Sequence, residues 1–328
     1  MFIAGDIGGT KTVIGLYERT TGGLHQSAER VFHSAEFKSL ESILSEFLQD
    51  HRGAQLENAC FGIAGAIIEG KVHTTNLTWD VTEAALESAL KCRVRLLNDL
   101  QATAYGVSYL SREELEVLNP GPWPRPKGNI AVIAAGTGLG EAILFWDGSR
   151  HHPIATEGGH ASFAPRDDHE IELLRYLRKQ YGSHISNERL LSGPGFYNIY
   201  SFLRDTGFAP EPEWLKQKLT TGDRSAIVSE AGLAGQSELC EETLRMFSSI
   251  YGAEAGDLTL RTLALGGVFV AGGIAPKMLK VLRDGSFMNS FVDKGRFKEV
   301  LQGVEVSVAL NPHAPLIGAA HFALGMSL

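Results

Sequence analysis

The chain has 328 residues, of which 44% are hydrophobic and 21% charged; this length allows two folded domains, and the composition excludes a largely disordered protein. Its formal net charge of −8 and the lack of a long basic run argue against nucleic acid as a partner. The three cysteines, Cys60, Cys92 and Cys240, form no C-x-x-C pair, which argues against a disulfide framework or a cysteine-rich zinc site and favours a reducing compartment.

The N-terminal segment, MFIAGDIGGTKT, lacks the basic start and the long apolar stretch of a secretory signal. No apolar run in the sequence reaches the ~18 residues of a membrane span. We therefore expect a cytoplasmic protein without a membrane partner.

The first predicted element is a β-hairpin, FIAGDIGGTKTVIGLYE, which begins at Phe2 and has a glycine-rich turn. Backbone N–H groups of such a turn can close on an anion, and a hydroxyl group with a lysine suits phosphate oxygens. An ordinary tight turn is an equally good interpretation, because the P-loop spacing is absent. The candidate phosphate-binding residues are Gly5, Asp6, Ile7, Gly8, Gly9, Thr10 and Lys11.

Helices and strands then alternate, which predicts an α/β sheet. In chain order they are a helix with apolar positions at Leu40, Ile43, Leu44, Phe47 and Leu48, the strand ACFGIAGAI, a helix near Thr82 to Leu90, and the strand RVRLLND. Asn98 and Asp99 end the last strand, where ligands bind in open α/β sheets. Either residue is also a good helix N-cap, so one of them can cap while the other faces a ligand.

A proline-rich segment, NPGPWPRPKG at residues 119 to 128, interrupts both helix and strand and is the clearest predicted boundary. A second hairpin, IAVIAAGTGLGEAILFWD, begins at Ile130 and resembles the first, so the chain is predicted to contain a repeated domain. Its turn is not a dinucleotide fingerprint, because the spacing is G-x-G-x-G and a strand follows. The turn supplies further candidates for phosphate binding, Gly136, Thr137 and Gly138.

The rest of the second half is predicted to contain helices from Glu170 to Tyr181 and from Glu242 to Leu263, then the strand GGVFVAGGI. Gly272 and Gly273 end this strand and can approach a nucleotide, although a simple strand-to-helix turn explains them equally well. Two polar segments are candidates for binding a small polar ligand. They contain Glu157 and His160 in Thr-Glu-Gly-Gly-His, and Glu188 near a predicted helix start, where it can also favour the helix dipole.

Metal binding by His151, His152 and Glu157 is disfavoured, because their spacing matches no zinc pattern.

Taken together, the motifs resemble bacterial glucokinase, the ATP-dependent, hexokinase-like branch. They are DIGGTK, LNDL, AGTGLG, EGGH, ERLLSGPG, GGVFVAGGI and DKGRF, in this order along nearly the whole chain. Related proteins of the repressor and kinase group carry a cysteine-rich zinc motif after the Gly-His, whereas residues 161 to 180 here contain no cysteine, so we expect no zinc. One departure is Gly65-Ala66, where such kinases often have a proline.

The resemblance implies an actin-like, ribonuclease H-like fold: two α/β domains with a cleft between them. The smaller domain would span residues 1–109, completed by about 303–328, and the larger one residues 110–302. The resemblance also implies that the protein uses ATP and Mg²⁺, acts on glucose and forms a homodimer. Asp6 would hold the metal through water. The residues that would bind sugar hydroxyls are Asn98, Asp99, Glu157, His160 and Glu188.

The resemblance further implies that Asp99 is the catalytic base, accepting the proton of the glucose 6-hydroxyl as it attacks the γ-phosphorus of ATP. Three alternatives stay open. The acceptor can be mannose, fructose or an N-acetylhexosamine, and the donor can be polyphosphate or ADP. A sugar-sensing regulator is disfavoured, because Asp6 lies too close to the start of the sequence for a preceding DNA-binding module.

Overall fold

The computed structural model describes residues 1–21, 23–74 and 77–326. The strands are β1 (Phe2–Ile7), β2 (Lys11–Thr20), β3 (Gly23–His33), β4 (Asn58–Ile63), β5 (Lys71–His73), β6 (Asp80–Thr82), β7 (Arg93–Asn98), β8 (Leu115–Asn119), β9 (Ile130–Ala135), β10 (Leu139–Trp146), β11 (His151–Ala155), β12 (Val268–Ala271) and β13 (Val306–Ala309). The helices are α1 (Leu40–Gln49), α2 (Glu83–Leu90), α3 (Asp99–Val107), α4 (Asp168–Tyr181), α5 (Gly193–Asp205), α6 (Glu213–Thr221), α7 (Arg224–Leu233), α8 (Glu238–Thr262), α9 (Leu279–Leu282), α10 (Ser286–Val292), α11 (Lys298–Gln302) and α12 (Ala314–Gly325).

The chain divides into two compact units. The first comprises residues 1–114, 150–155 and 311–328, and the second comprises residues 115–149 and 156–310. The proline-rich segment follows β8 and so lies within the second unit. The domain limits expected from the sequence stay a prediction.

The first unit is built on a five-stranded sheet in the order β3-β2-β1-β4-β7. The two hairpin contacts are antiparallel, whereas β1 pairs with β4 and β4 with β7 in parallel. Alternate residues of β1 serve two cores: Ile3 packs with helix α1, and Phe2 packs with helix α12. Because both faces are covered, β1 and β4 are almost continuously buried, whereas β7 at the edge of the sheet exposes Arg93 and Arg95.

The second unit repeats this strand arrangement. The hairpin β9–β10 is antiparallel, β9 pairs with β12 and β12 with β13 in parallel, and β8 closes the edge in antiparallel orientation. Helix α8 packs against this sheet, and the fully buried Tyr251 hydroxyl donates to the Ile133 carbonyl at 3.2 Å and accepts from the Ala135 N–H at 3.1 Å. These two bonds fix the end of β9 where the second glycine turn begins. The repeat predicted from the two hairpins is therefore confirmed.

Most predicted elements are present, with shifted ends. Helix α1 has its apolar residues at Leu40, Ile43, Leu44 and Phe47, and Ser39 caps its start. Strand β4 ends at Ile63, so the prediction that it continues through ACFGIAGAI is wrong; Gly65 has φ +131°, outside the range of an extended strand.

The two long predicted helices of the second half also begin earlier than expected. Helix α4 starts at Asp168 because the side chain of Asp167 accepts a hydrogen bond from the N–H of Glu170. Helix α8 starts at Glu238, four residues before the predicted start at Glu242, and its first turn buries Leu239. It ends before Leu263, whose φ of +45° is left-handed.

Candidate active site

Three parallel strands of the first unit end side by side. Strand β1 ends at Ile7, strand β4 at Ile63 and strand β7 at Asn98, and Ile63 pairs with both of the others. A side chain on Gly62 of β4 would place its Cβ 2.7 Å from the Cβ of Ala102, so this glycine lets α3 begin close to the sheet. Asp6 and the start of α3 thus share one edge of the sheet, as the sequence predicts for a ligand site.

Asn98 caps helix α3. Its Oδ1 accepts a hydrogen bond from the N–H of Leu100 at 2.9 Å, and Gln101 accepts one from the N–H of Asn98 at 3.0 Å, which completes a capping box. Its Nδ2 donates to the carbonyl of Gly65 at 3.1 Å and ties down the loop after β4 that lacks the expected proline. Asn98 is therefore the cap of this pair, and one N–H of its amide group remains beyond the Gly65 bond.

Asp99 is the first residue of α3 and is exposed. Its Oδ1 accepts from the N–H of Leu100 at 2.8 Å, and its carbonyl accepts from the hydroxyl of Thr103 at 2.8 Å. The helix N-terminus stabilises a carboxylate at this position. The structure therefore presents Asp99 as a carboxylate that is fixed by the helix and accessible to solvent.

Asp6 lies close enough to Asp99 for their negative charges to repel each other. Burial, followed by the negative charge of Asp99, raises the pKa of Asp6 to about 6, against opposing effects of Lys11 and His313. A divalent cation would relieve the repulsion between these two carboxylates. The first unit therefore has a donor set that fits Mg²⁺ held through water.

The glycine-rich turn between β1 and β2 is closed by a hydrogen bond from the N–H of Gly8 to the carbonyl of Lys11 at 3.0 Å. Ser34 supports it from beneath: the buried hydroxyl donates to the Gly8 carbonyl at 2.7 Å, and its N–H donates to the Thr10 carbonyl at 3.1 Å. The turn and its two carbonyls are therefore held by a residue that sequence reasoning missed. A lone serine after a strand carries no signal that would have identified it.

The second glycine turn is closed in a similar way. The N–H of Gly136 donates to the Gly138 carbonyl at 2.8 Å, and a Cβ at Gly136 would meet nothing within 4 Å. Gly272, with φ +81°, approaches so closely that a Cβ would lie 2.4 Å from the carbonyl oxygen of Ala135. A Cβ at Gly273 would again meet nothing within 4 Å. The structure thus brings the end of β12 beside the second turn and leaves open space at Gly136 and Gly273.

Glu188 lies in the short 3-10 helix Asn187–Arg189 and reaches the same turn. Its Oε2 accepts a hydrogen bond from the N–H of Leu139 at 3.0 Å, and a Cβ at Gly138 would lie 2.4 Å from this oxygen. The carboxylate therefore contacts the turn, whereas the N-cap of the following helix α5 is Ser192. Its second oxygen is available to a ligand in an otherwise half-buried position.

Glu157 and His160 bracket a tight turn whose two glycines pack on β10. A Cβ at Gly158 would lie 2.1 Å from Oε2 of Glu141, and one at Gly159 would lie 2.1 Å from the carbonyl oxygen of Leu139. The side chains of Glu157 and His160 are 80% and 62% exposed, with Oε2 and Nε2 4.0 Å apart. Both side chains therefore project from a backbone that is fixed on its other face.

In the second unit, Leu139 contacts both segments that contain predicted sugar-binding residues, one with Glu157 and His160 and the other with Glu188. Its N–H donates to Glu188, its carbonyl contacts Gly159, and the carbonyl of Ala161 accepts from the N–H of Asn187 at 2.9 Å. The structure thus collects Glu157, His160 and Glu188 around one end of β10. Within the first unit it collects Asp6, Asn98 and Asp99 with the first glycine turn.

Residues 1–21, 23–74 and 77–326 contain no group of three or more His, Cys, Asp or Glu side chains arranged to hold a metal ion. The absence of a zinc site stays a prediction. Among the same described residues, no helix combines the length and apolar character needed to cross a membrane.

Comparison with known proteins places these features in a family. The model of a family described as Glucokinase matches residues 3–326. A glucokinase from Nostoc punctiforme is 40% identical over 334 residues, which cover 98% of each chain. The crystal structure of a glucokinase from an Antarctic psychrotroph has a TM-score of 0.88 and 31% identity, covering 99% of this chain and 98% of that one. The structure of Balamuthia mandrillaris glucokinase in complex with glucose has a TM-score of 0.77 at 21% identity, covers 99% of this chain and 93% of its own, and supports the fold alone.

Proposed function

Because the chain belongs to the glucokinase family, we propose that it is an ATP-dependent hexose kinase that transfers the γ-phosphate of ATP to the 6-hydroxyl of glucose, giving glucose 6-phosphate and ADP. The predicted actin-like α/β fold is confirmed by the solved structures that it resembles. The observation that carries the chemistry is the exposed Asp99 carboxylate, fixed at the start of α3 beside Asp6. A kinase of this type needs one such base for the attacking hydroxyl group.

In the proposed reaction, Asp99 accepts the proton of the 6-hydroxyl while the oxygen forms a bond to the γ-phosphorus. The bond from the γ-phosphorus to the oxygen that bridges it to the β-phosphate breaks, and ADP leaves with that oxygen. The Leu100 N–H holds one carboxylate oxygen of Asp99, so the base is oriented before the sugar arrives. A positioned base of this kind contributes ~10²- to 10⁴-fold to the rate.

The sugar hydroxyls are bound, in this proposal, by Asn98, Asp99, Glu157, His160 and Glu188. Carboxylate, amide and imidazole groups can each accept or donate a hydrogen bond to a hydroxyl group, and charged partners make these bonds stronger. Support comes from the free amide hydrogen of Asn98, the second oxygen of Glu188 and the exposed side chains of Glu157 and His160. Sites that pair with hydroxyl groups reject analogues lacking them by large factors.

The phosphates of ATP are held, in this proposal, by two backbone turns. The first is the turn of Gly8, Gly9 and Thr10 with the flanking strand residues Gly5, Asp6, Ile7 and Lys11; the second comprises Gly136, Thr137 and Gly138, joined by Gly272 and Gly273. The second turn is supported by the open space where a Cβ would lie at Gly136 and Gly273. When bound, Mg²⁺ would neutralise charge on the phosphate oxygens, with Asp6 orienting its water ligands.

A panel of hexoses in a coupled ADP-release assay tests the function most directly. We expect glucose to give the highest kcat/KM with ATP and Mg²⁺, ahead of mannose, fructose and N-acetylglucosamine. A higher kcat/KM with another hexose would show that this hexose is the preferred substrate, and the protein would still be a hexose kinase. Tight glucose binding without ADP release from any hexose would contradict the proposal and favour a sugar sensor.

Replacement of Glu188 by alanine is expected to raise the KM for glucose by about tenfold, because one hydrogen bond to a charged group is lost. It also removes the carboxylate that accepts from the Leu139 N–H. Glu188→Gln is the matched control: its amide oxygen can still accept from Leu139, so the backbone tie is kept while the charge is lost. If both variants bind glucose as the wild type does, Glu188 has no sugar-binding role.

Replacement of Ser34 by alanine is expected to raise the KM for ATP by several-fold, since the Gly8 carbonyl loses its hydrogen-bond donor and the first turn loosens. Ser27→Ala serves as the control, because the Ser27 hydroxyl also donates to a backbone carbonyl, that of Leu16, along the same sheet but away from the turn. Equal KM values for ATP in the two variants would argue against phosphate binding at the first turn.

The protein is further proposed to act in glycolysis, in the cytoplasm and as a homodimer. These assignments rest on the family resemblance. Size-exclusion chromatography with light scattering distinguishes a dimer from a monomer, since the chain mass is 35.5 kDa.

A further inference from the structure

Strand β10 carries a buried acid at Glu141, where alternation would place an apolar residue. Glu141 is only 2% exposed, and its Oε1 has no hydrogen-bond partner among the described residues. The proposed phosphoryl transfer does not use it. A buried carboxyl group with an unpaired oxygen is unusual, because burying an ionised acid is costly unless it is paired.

Helix α8 supplies the groups that face Glu141 from one side. The negative charge of Glu254 acts on Glu141 from this helix, and Glu254 itself accepts from the guanidinium of Arg261 at 2.6 Å. Other titratable groups on this side lie on or against the same helix: Tyr251, Asp257 and Lys294, the last contacting Asp257 at 2.6 Å. Burial raises the pKa of Glu254 too, but the charge and the hydrogen bond of Arg261 lower it, so the proton of the pair belongs to Glu141.

Burial, and then the negative charge of Glu254, raises the pKa of Glu141 to about 8. Arg261 acts in the opposite direction but does not contact Glu141 itself. Glu141 is therefore a neutral acid at pH 7. Above pH 8 it becomes a second negative charge beside Glu254 in a buried position.

The other side of Glu141 faces the turn that carries Glu157 and His160. The Cα of Gly158 sits against Oε2 so closely that a Cβ there would lie 2.1 Å away, and the Glu141 carbonyl accepts from the hydroxyl of Thr156 at 2.8 Å. The side chains of Glu157 and His160 themselves point to solvent. The turn thus rests directly on the carboxyl group of Glu141.

We propose that Glu141 is a positioning residue: its protonated carboxyl group, buried against the backbone of Gly158, holds the turn that presents Glu157 and His160, and its ionisation weakens sugar binding. This inference rests on the proposed role of Glu157 and His160 in binding glucose. It adds a control of sugar affinity by pH through a residue that does not touch the sugar.

Titration of glucose binding by calorimetry from pH 6.5 to pH 9.5 tests the proposal. We expect the Kd of the wild type to rise about three- to tenfold between pH 7 and pH 9, since ionisation disfavours the binding conformation. Glu141→Gln, whose amide has nearly the same shape and stays neutral across this pH range, should keep the pH 7 affinity and show no such rise. Parallel rises in both proteins would overturn the proposal while leaving the kinase assignment intact. Failure of the wild type to bind glucose at pH 7 would instead overturn the proposed function and this inference with it.

A rescue experiment tests the contact without relying on pH. Gly158→Ala should weaken glucose binding by about tenfold, because its Cβ collides with the Glu141 carboxyl. Adding Glu141→Ala removes this collision together with the support that the carboxyl group gives the turn, so it should restore part of the loss. Gly159→Ala is the matched control: its Cβ would meet the Leu139 backbone oxygen, which Glu141→Ala does not remove. If Gly158→Ala lowers the soluble yield, recovery is scored on yield. Equal recovery of both glycine variants, or of neither, would contradict the positioning role.

Discussion

Replacing Asp99 by asparagine is expected to lower kcat by about 10²- to 10⁴-fold while the glucose Kd changes by less than about threefold. The amide oxygen can still accept from the Leu100 N–H, now 2.8 Å from the carboxylate, so the helix start and the side-chain position should be kept. What is lost is the ability to take a proton from the 6-hydroxyl. Single-turnover measurement of ADP formation with saturating glucose and ATP isolates this step from product release.

The control for Asp99→Asn must remove a carboxylate that also lies in the first turn of a helix but has no proposed role in catalysis. Glu41→Gln meets this need, because Glu41 lies in the first turn of α1 and favours that helix dipole in the same way. We expect its kcat to match the wild type. A kcat for Asp99→Asn within about threefold of the wild type would show that another group is the base.

Replacing Gly318 by alanine is expected to lower the free energy of unfolding by about 3 kcal/mol, the largest stability effect that we predict. Gly318 lies in helix α12 where it crosses α3, and a Cβ there would lie 1.9 Å from the carbonyl oxygen of Ala102. Gly106 of α3 makes the reciprocal approach, 1.8 Å from the carbonyl of Ala314. Both neighbours are backbone atoms of helices, so neither can move without separating the helices.

Gly325→Ala provides the comparison within the same helix. Among the described residues, its Cβ would meet only the Tyr105 hydroxyl, at 4.0 Å, and alanine is the better helix former, so stability should stay equal or rise slightly. Urea unfolding of the two variants measures the difference. Because α3 starts at Asp99, Gly318→Ala should also lower kcat; a variant with normal stability would show that the helix contact is looser than described.

The sequence predicts the fold of this chain well where local patterns and tertiary packing agree. The two glycine hairpins, the apolar spacing of α1 and the strand before Asn98 each follow from periodicity, and the structure retains them. The ends of α4 and α8 could not be predicted, because they depend on which residue caps the helix and on burial of Leu239. Strand β4 ends early for a backbone reason, the positive φ of Gly65, which composition does not reveal.

For the candidate site, the sequence identifies residues whose types suit a ligand but not those that hold them. The alternatives left open at Asn98 and Asp99 are resolved only by the capping box, in which Asn98 accepts from Leu100 and Gln101 accepts from Asn98. Glu141 does leave a signal, an acid within an apolar strand, yet its contact with Gly158 joins segments that are distant in sequence. Such contacts depend on tertiary packing that no local pattern contains.

The position of helix α12 near the end of the first unit determines when that unit can finish folding during translation. Residues Leu316, Ala319, Ala320 and Ala323 cover the face of the first sheet that contains Phe2. During translation, strands β1 to β7 leave the ribosome long before these residues are synthesised, so that face of the sheet stays bare until helix α12 has emerged. The first unit to emerge is therefore the last that can finish folding, and ribosome-bound chains stopped before residue 311 should bind chaperones through it.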